Sequence, residues 1–288
     1  MSLMNRLDNK TRAQIIRCLV DGNSIRATER TTGITKKAVT RLLVEIGEVC
    51  RAYQDAHFQN LPCKRIQVDE IWSFCGAKEK NASPEKKAQG WGEVWTWTAI
   101  DAGTKLIASW MVGNKTIACA KRFTQDLAAR LANRVQLTSD GNRAYLFAID
   151  DAFGTEIDFA VLQKIYGNPP EQKYERRYSP LQCIGIKKEV VMGDPDPKHV
   201  STSYIERQNL TMRMQMRRFT RLTNAFSKKI ENHAAAIALH FMFYNYARVH
   251  QTLRITPAMA AGLTDHVWEI EEIVGLLETQ EKVQTKSA

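Results

Sequence analysis

The sequence predicts an α/β protein: a mixed five-stranded sheet flanked by helices and preceded by a small all-α helix-turn-helix domain. Three observations carry this. Apolar residues between positions 11 and 46 recur at helical spacing in three short blocks. From position 64 onward, β-branched and aromatic residues alternate as they do in strands. Farther along, strand-like and helix-like segments alternate, which is the pattern of βα units.

In the first region, Ile15, Ile16, Leu19 and Val20 share one face of a helix over 11–21, which Gly22 stops. Ser24 can cap a second helix, IRATERTTG, that ends at Gly33. Thr35 can cap a third, KKAVTRLLVEIGEV, with Val39, Leu42, Leu43 and Ile46 at helical spacing. Both caps supply a side-chain oxygen to the free N–H groups of the first turn. Two short helices joined through a glycine turn, followed by a basic third helix, fit a helix-turn-helix over 1–50. In that arrangement Lys36, Lys37, Thr40 and Arg41 lie at the exposed start of a recognition helix and are candidate DNA contacts. A plain three-helix bundle fits the same pattern.

A helical linker over 51–63, containing Pro62, leads into a larger domain over 64–263. Strands are expected at 64–74, 94–100 and 106–112, the last two joined by the tight turn DAGTK. A polar, Lys-rich turn fills 78–91. A helix over 116–132, a strand over 135–139, a helix over 143–153 and a strand over 158–165 complete the sheet layer. A pattern-poor stretch at about 167–200, with five prolines and the basic patch KYERRY, reads as a loop insertion. Long helices are expected at 201–222 and about 227–249, and a short one follows Pro257. Residues 264–288 form a last helix and a disordered tail.

With 44% hydrophobic residues, the chain can bury a sizeable core. It lacks an apolar run long enough to span a bilayer, and its first residues lack a secretory pattern. A cytoplasmic, nucleoid-associated bacterial protein is expected. Lys and Arg number 41 against 31 Asp and Glu, a balance of +10 that favours a polyanion partner. The cysteines (Cys18, Cys50, Cys63, Cys75, Cys119 and Cys183) include no CxxC pair or zinc spacing, and read as reduced, mostly buried thiols.

Three acids stand out. Asp69 interrupts an apolar strand, IQVDEIWSF, where a charge is costly unless it is exposed, paired or metal-bound. Asp140 follows a strand at the point where open α/β sheets place ligands. Glu206 falls in the first turns of the 201–222 helix, and Asn209 one turn on can reach the same place. Arg213, Arg217 and Arg221 return close to the face of Glu206 at ~100° per residue. A row of arginines continuing an acidic residue suits a metal ion at one end and DNA phosphates along the rest. Carboxylates brought together in this way suit two Mg²⁺ or Mn²⁺ ions about 4 Å apart, acting on a phosphodiester. Each acid also has an ordinary role open to it, as strand-edge charge, turn residue or surface group. Asp101 reads as a turn residue, and Asp150 and Asp151 as surface residues. His199 is a possible phosphate contact. Tyr244, Asn245 and Arg248, which share a motif with His250, can support the Glu206 helix or touch DNA, with core packing and capping the ordinary role; Trp72, Trp91, Trp95, Trp97 and Trp110 suit the core, with Trp91 in its loop open to base stacking.

The segments VDEIWSF, LTSDGNRAY, STSYIERQNLTMRMQMRRFTRLTNAFSKK and FYNYARVHQTLRITPAMAAGL resemble the DDE transposases of the insertion-sequence-one type, over roughly 64–263. The last two segments are long and specific. The resemblance implies an RNase H-like core whose metal-binding catalytic triad is Asp69, Asp140 and Glu206. It implies cleavage at element ends and joining to target DNA, with no nucleotide cofactor consumed. It leaves the helix-turn-helix to recognise terminal inverted repeats, because a Cys-rich zinc segment common in relatives is lacking here. Holding two ends together requires at least a homodimer on DNA. A catalytically inactive DNA-binding regulator, or a nuclease without joining activity, are the alternative functions.

Overall fold

The computed structural model describes residues 7–167, 182–220 and 224–286. Its first three helices are α1 (Asn9–Val20), α2 (Ile25–Thr32) and α3 (Lys36–His57). Each begins on a side-chain cap: Asp8 accepts from the N–H of Thr11, Ser24 from Ala27 and Thr35 from Ala38. Gly33 ends α2 in the left-handed region, at φ 74°. No helix break separates the third helix from the linker: α3 runs unbroken past residue 50 to His57.

Six strands form one mixed sheet: β1 (Arg65–Cys75), β2 (Gly92–Asp101), β3 (Ile107–Gly113), β4 (Val135–Ser139), β5 (Ile157–Gly167) and β6 (Gln182–Met192), in the order β3-β2-β1-β4-β5-β6. The expectation of five strands is corrected by β6, which lies inside the supposed loop insertion and pairs antiparallel with β5. The KYERRY patch at 173–178 lies outside the described residues. The β1–β2, β2–β3 and β5–β6 pairs are antiparallel, whereas β4 runs parallel to both β1 and β5. Asp101 closes the β2–β3 turn by accepting from Thr104 N–H at 2.7 Å and its hydroxyl at 2.8 Å.

Helix α4 (Pro84–Ala88) sits in the polar turn after β1. Helices α5 (Ile117–Arg130) and α6 (Arg143–Phe153) lie against one face of the sheet, where Phe123, Leu127 and Tyr145 pack with Val68, Trp97 and Ala99. Helices α7 (Ser203–Gln215) and α8 (Ile230–Met242) cover the other face, where Ile205, Met212, Ile237 and Phe241 pack on Ile71, Ile100 and Ile107. The long helices expected at 201–222 and 227–249 are therefore shorter. Extended backbone at Met216 ends α7, and a 3₁₀ turn over Arg217–Phe219 follows. A π-helical turn, Phe243–Ala247, follows α8. Short α9 (Pro257–Ala260) and the long α10 (Ile270–Lys286) are the last elements among the described residues.

The N-terminal helices share a continuous core with the sheet: Val39, Leu43, Ile46 and Cys50 of α3 belong to the same apolar cluster as Ala238, Leu239 and Met242 of α8. Gly47 allows this approach, because a Cβ built there would lie 2.5 Å from Cα of Ala235. Cys50, Cys63 and Cys75 are buried, Cys18 and Cys119 half-buried, and Cys183 exposed. No helix among the described residues is long and apolar enough to cross a membrane.

Candidate functional site

Side chains alternate across a strand, so Gln67, Asp69 and Ile71 of β1 face α7 while Val68 and Glu70 face α5 and α6. Gln67 anchors α7 directly, its Oε1 accepting from the N–H groups of Tyr204 (2.8 Å) and Ile205 (3.1 Å). The parallel pairing of β1 with β4 ends at Gln67 opposite Thr138. Two residues beyond that last pair come Asp69, still on β1, and Asp140, just past the end of β4. The strands no longer bond there, and a gap opens between them.

Into that gap converge three acids. One carboxylate oxygen from each of Asp69, Glu70 and Asp140 lies within 4.8 Å of the other two. Asp69 is half-buried; its Oδ1 accepts from the N–H of Glu70 (2.8 Å) and its Oδ2 from Nδ2 of Asn209 on α7 (2.8 Å). Burial pushes its pKa up to about 7, and the negative charges of Asp140, Glu70 and Glu206 act in the same direction. Asp140 is held by the N–H of Asn142, which donates to its Oδ1 at 3.0 Å. Asn142 also caps α6.

Glu70 is the most enclosed of the three, its side chain 1% exposed. It accepts from Lys115 Nζ (2.5 Å), Asn142 Nδ2 (2.8 Å) and the hydroxyl of Tyr145 (3.1 Å). Sequence reasoning passed over it, because a strand sends consecutive residues to opposite faces. The signal was nevertheless present, as a second charge in the middle of the same apolar strand.

Glu206 stands in the first turn of α7 and lines the same cleft, an open space of about 680 Å³. It falls outside the 4.8 Å cluster. Lys164 of β5 forms an ion pair with its Oε2, and the hydroxyl of Thr202 donates to its Oε1 at 2.7 Å. The pairing with Glu206 raises the pKa of Lys164. Asn209 and Arg213 also line the cleft.

The expected arginine row divides at the end of α7. Arg213 lies on the helix at the cleft, Arg217 on the 3₁₀ turn beyond it, and Arg221 outside the described residues. Lys36, Lys37 and Arg41 are exposed on the start of α3, with Thr40 half-buried beside them. His199 is away from the cleft and accepts from Arg65 Nη1 at 2.8 Å. Asn245 is buried, and its amide exchanges two hydrogen bonds with the backbone of Ile107. Asp151 is a surface partner of Lys121. Trp97 is fully buried in the core, while the Trp91 ring lies over Gly76 and beside Lys86.

No family model matches this sequence. No curated protein matches it. Among solved structures it is similar to a piggyBac transposase synaptic complex with hairpin DNA, at 10% identity over 96% of this chain and 72% of that one, with a TM-score of 0.46. It is also similar to the Mos1 strand transfer complex, at 10% identity over 83% of this chain and 78% of that one, with a TM-score of 0.24. Both scores fall below 0.5, where two chains need not share a fold.

Proposed function

We propose that this protein is a DDE transposase of the insertion-sequence-one type, which cuts DNA at element ends and joins those ends to target DNA. The observation that carries the reading is the close approach of the carboxylates of Asp69 on β1 and Asp140 just past the end of β4, with Glu206 lining the same cleft from α7. In this reading the N-terminal helices over 1–50 are a helix-turn-helix that recognises terminal repeats, and 64–263 is the RNase H-like catalytic domain. Lys36, Lys37, Thr40 and Arg41 are its proposed contacts to the element end, and Arg213 and Arg217 further DNA contacts.

The donor set suits a hard divalent cation. It consists of carboxylate oxygens, and Oδ1 of Asn209 beside them is buried with no hydrogen-bond partner. Three acids this close repel one another, and a cation relieves that repulsion. Asp69 and Asp140 would hold Mg²⁺ or Mn²⁺, with Glu206 as their partner from α7 and Glu70 behind them. When bound, such an ion would supply Lewis-acid chemistry toward a phosphodiester oxygen and lower the pKa of a water or 3′-hydroxyl. The protein's own groups do the rest. Asn209 orients the Asp69 carboxylate and Asn142 that of Asp140. Lys164 and Arg213 bring positive charge to the cleft wall, where a phosphate backbone would lie.

The test is strand transfer of a labelled element end with Mg²⁺, repeated with Asp140→Asn. Expected are a nicked end and a joined product from the wild type and neither from the variant. Nicking without joining would leave a nuclease, and binding without nicking a regulator; either overturns the transposase reading. Because two ends must be held together, light scattering of the end complex is expected to give at least two protomers.

A further inference from the structure

A second groove, about 690 Å³, lies where the N-terminal helices meet the far end of α7. Its walls come from the α1–α2 turn, the start of α3, the turn after α7 and the approach to α8. Gly22 of that α1–α2 turn touches α7 itself, since a Cβ there would lie 2.6 Å from the carbonyl oxygen of Gln215. Five cations line the groove (Arg26, Lys36, Arg217, Arg218 and Lys228), and no Asp or Glu does. Among the described residues none of the five takes part in an ion pair. The acid placed beside one of them, Glu29, accepts from the backbone N–H of Lys36 and does not line the groove.

Arg218 is the centre of the argument. Its Nη1 donates to the hydroxyl of Ser227 at 2.7 Å. Ser227 is in turn bonded to Nδ1 of His233, whose Nε2 bonds to Ser73 of β1, so the guanidinium is braced against the sheet. Burial pushes the Arg218 pKa down to about 10, which marks a cation deprived of water without gaining a carboxylate. A desolvated charge is costly unless an opposite charge approaches it, and four more cations around it add repulsion. A second buried group without a partner lines the groove from α8, Nε2 of His240. The groove thus gathers positive charge with no carboxylate in its lining, and an open groove lined by several cations suits a string of phosphates.

We propose that this groove binds the phosphate backbone of DNA, with Arg218 as its central contact and Arg26 and Lys228 closing on the strand from opposite walls. The identity of the polyanion rests on the transposase reading, whereas the anion site itself does not. The groove lies beyond Gln215, nine residues along α7 from Glu206, or about 14 Å at 1.5 Å per residue. That spans about four base pairs at 3.4 Å each. A duplex whose scissile phosphate sits in the acidic cleft would therefore place a backbone segment about four base pairs away in the groove.

The experiment measures binding of a fluorescein-labelled duplex by the full-length protein across a salt series. The exposed pair Arg26→Ala/Lys228→Ala is compared with wild type and Arg218→Gln, with circular dichroism as the check on folding. The log–log salt slope is expected to become shallower by about two for the pair and by about one for Arg218→Gln. A folded Arg26→Ala/Lys228→Ala protein with an unchanged slope overturns the groove while leaving the transposase reading intact if the wild type still cuts. A shallower slope in a protein that never cuts sustains the groove and sinks the transposase. Wild-type protein that binds no duplex overturns both.

Discussion

Lys164 and Glu206 form an ion pair across the cleft, joining β5 to the first turn of α7. The pair compensates Glu206, which lies outside the cluster of the other three acids, with a positive charge of the protein's own. If Glu206 ligates a divalent cation, that cation must compete with Lys164. Replacing Lys164 with Met is therefore expected to tighten Mn²⁺ binding up to about fivefold, the scale of a partly exposed ion pair. Titration calorimetry with Mn²⁺ measures it. An affinity unchanged in Lys164→Met and also in Glu206→Gln would remove Glu206 from the ligand set. In DNA binding the same Lys164→Met change is expected to weaken, because the cleft wall loses a cation.

Glu70 governs Asp140 through Asn142: Asn142 donates its amide Nδ2–H to Glu70 and its backbone N–H to Asp140. Removing the carboxylate unpairs Lys115 and leaves the buried hydroxyl of Tyr145 and the amide of Asn142 without this acceptor, so Glu70→Ala is expected to cost about 1–3 kcal/mol. Glu70→Gln keeps the shape and one acceptor oxygen, so a smaller loss follows. Chemical denaturation separates the two variants. A Mn²⁺ titration of Glu70→Gln then reports positioning: weaker binding in a fully folded protein is expected, whereas wild-type affinity would limit Glu70 to a structural role.

Much of this site was legible in the sequence because two physical signals were local. Asp69 is a charge in an apolar strand, and Asp140 follows the end of one. What was not legible depended on contacts distant in the chain. Glu70 was signalled as a second charge in its strand, but its reach into the cluster depends on β1 and β4 parting after Gln67 and Thr138, a feature of pairing that no single segment records. Lys164 becomes relevant through an α7 residue 42 positions away. Strand β6 hid among prolines and lysines, and its pairing with β5 supplies what its pattern lacks. The end of α7 carries no Gly or Pro, and Met212, Met216 and Phe219 keep helical spacing through the point where the helix stops. The arginine row was overextended for that reason.

Gly47 sets the distance between α3 and α8. Alanine is the better helix former by about 1 kcal/mol. Here its methyl would meet Cα, Cβ and the carbonyl oxygen of Ala235 at 2.5–2.6 Å, and backbone must move. Overpacking of this kind costs about 1–3 kcal/mol, so Gly47→Ala is expected to be net destabilising despite its propensity gain. A lowered denaturation midpoint confirms the close approach, and a raised one would show that the helices separate at little cost. Ala235→Gly in the same background is expected to restore part of the loss, because it removes one of the clashing atoms.

Two histidines under the sheet give the stability of this protein an acid limb. Burial holds the pKa of His233 and His240 down to about 3, against 6.5 for an unburied histidine, with Arg218 and Arg248 respectively acting in the same direction. Both are therefore neutral in the folded protein, while the unfolded chain takes up protons as pH falls below 6.5. Their contribution is complete above that pH and declines as pH drops toward 3, so the urea midpoint is expected to fall through this window. The two differ in what their removal does. His233 bridges Ser73 and Ser227, so replacing it breaks a buried network. His240 leaves Nε2 without a partner, so His240→Leu is expected to flatten the acid limb at little cost near pH 7. Urea midpoints of wild type and His240→Leu at a series of pH values between 3 and 7 check this. Parallel curves would mean that His240 gains its proton without opening the core, contrary to its burial.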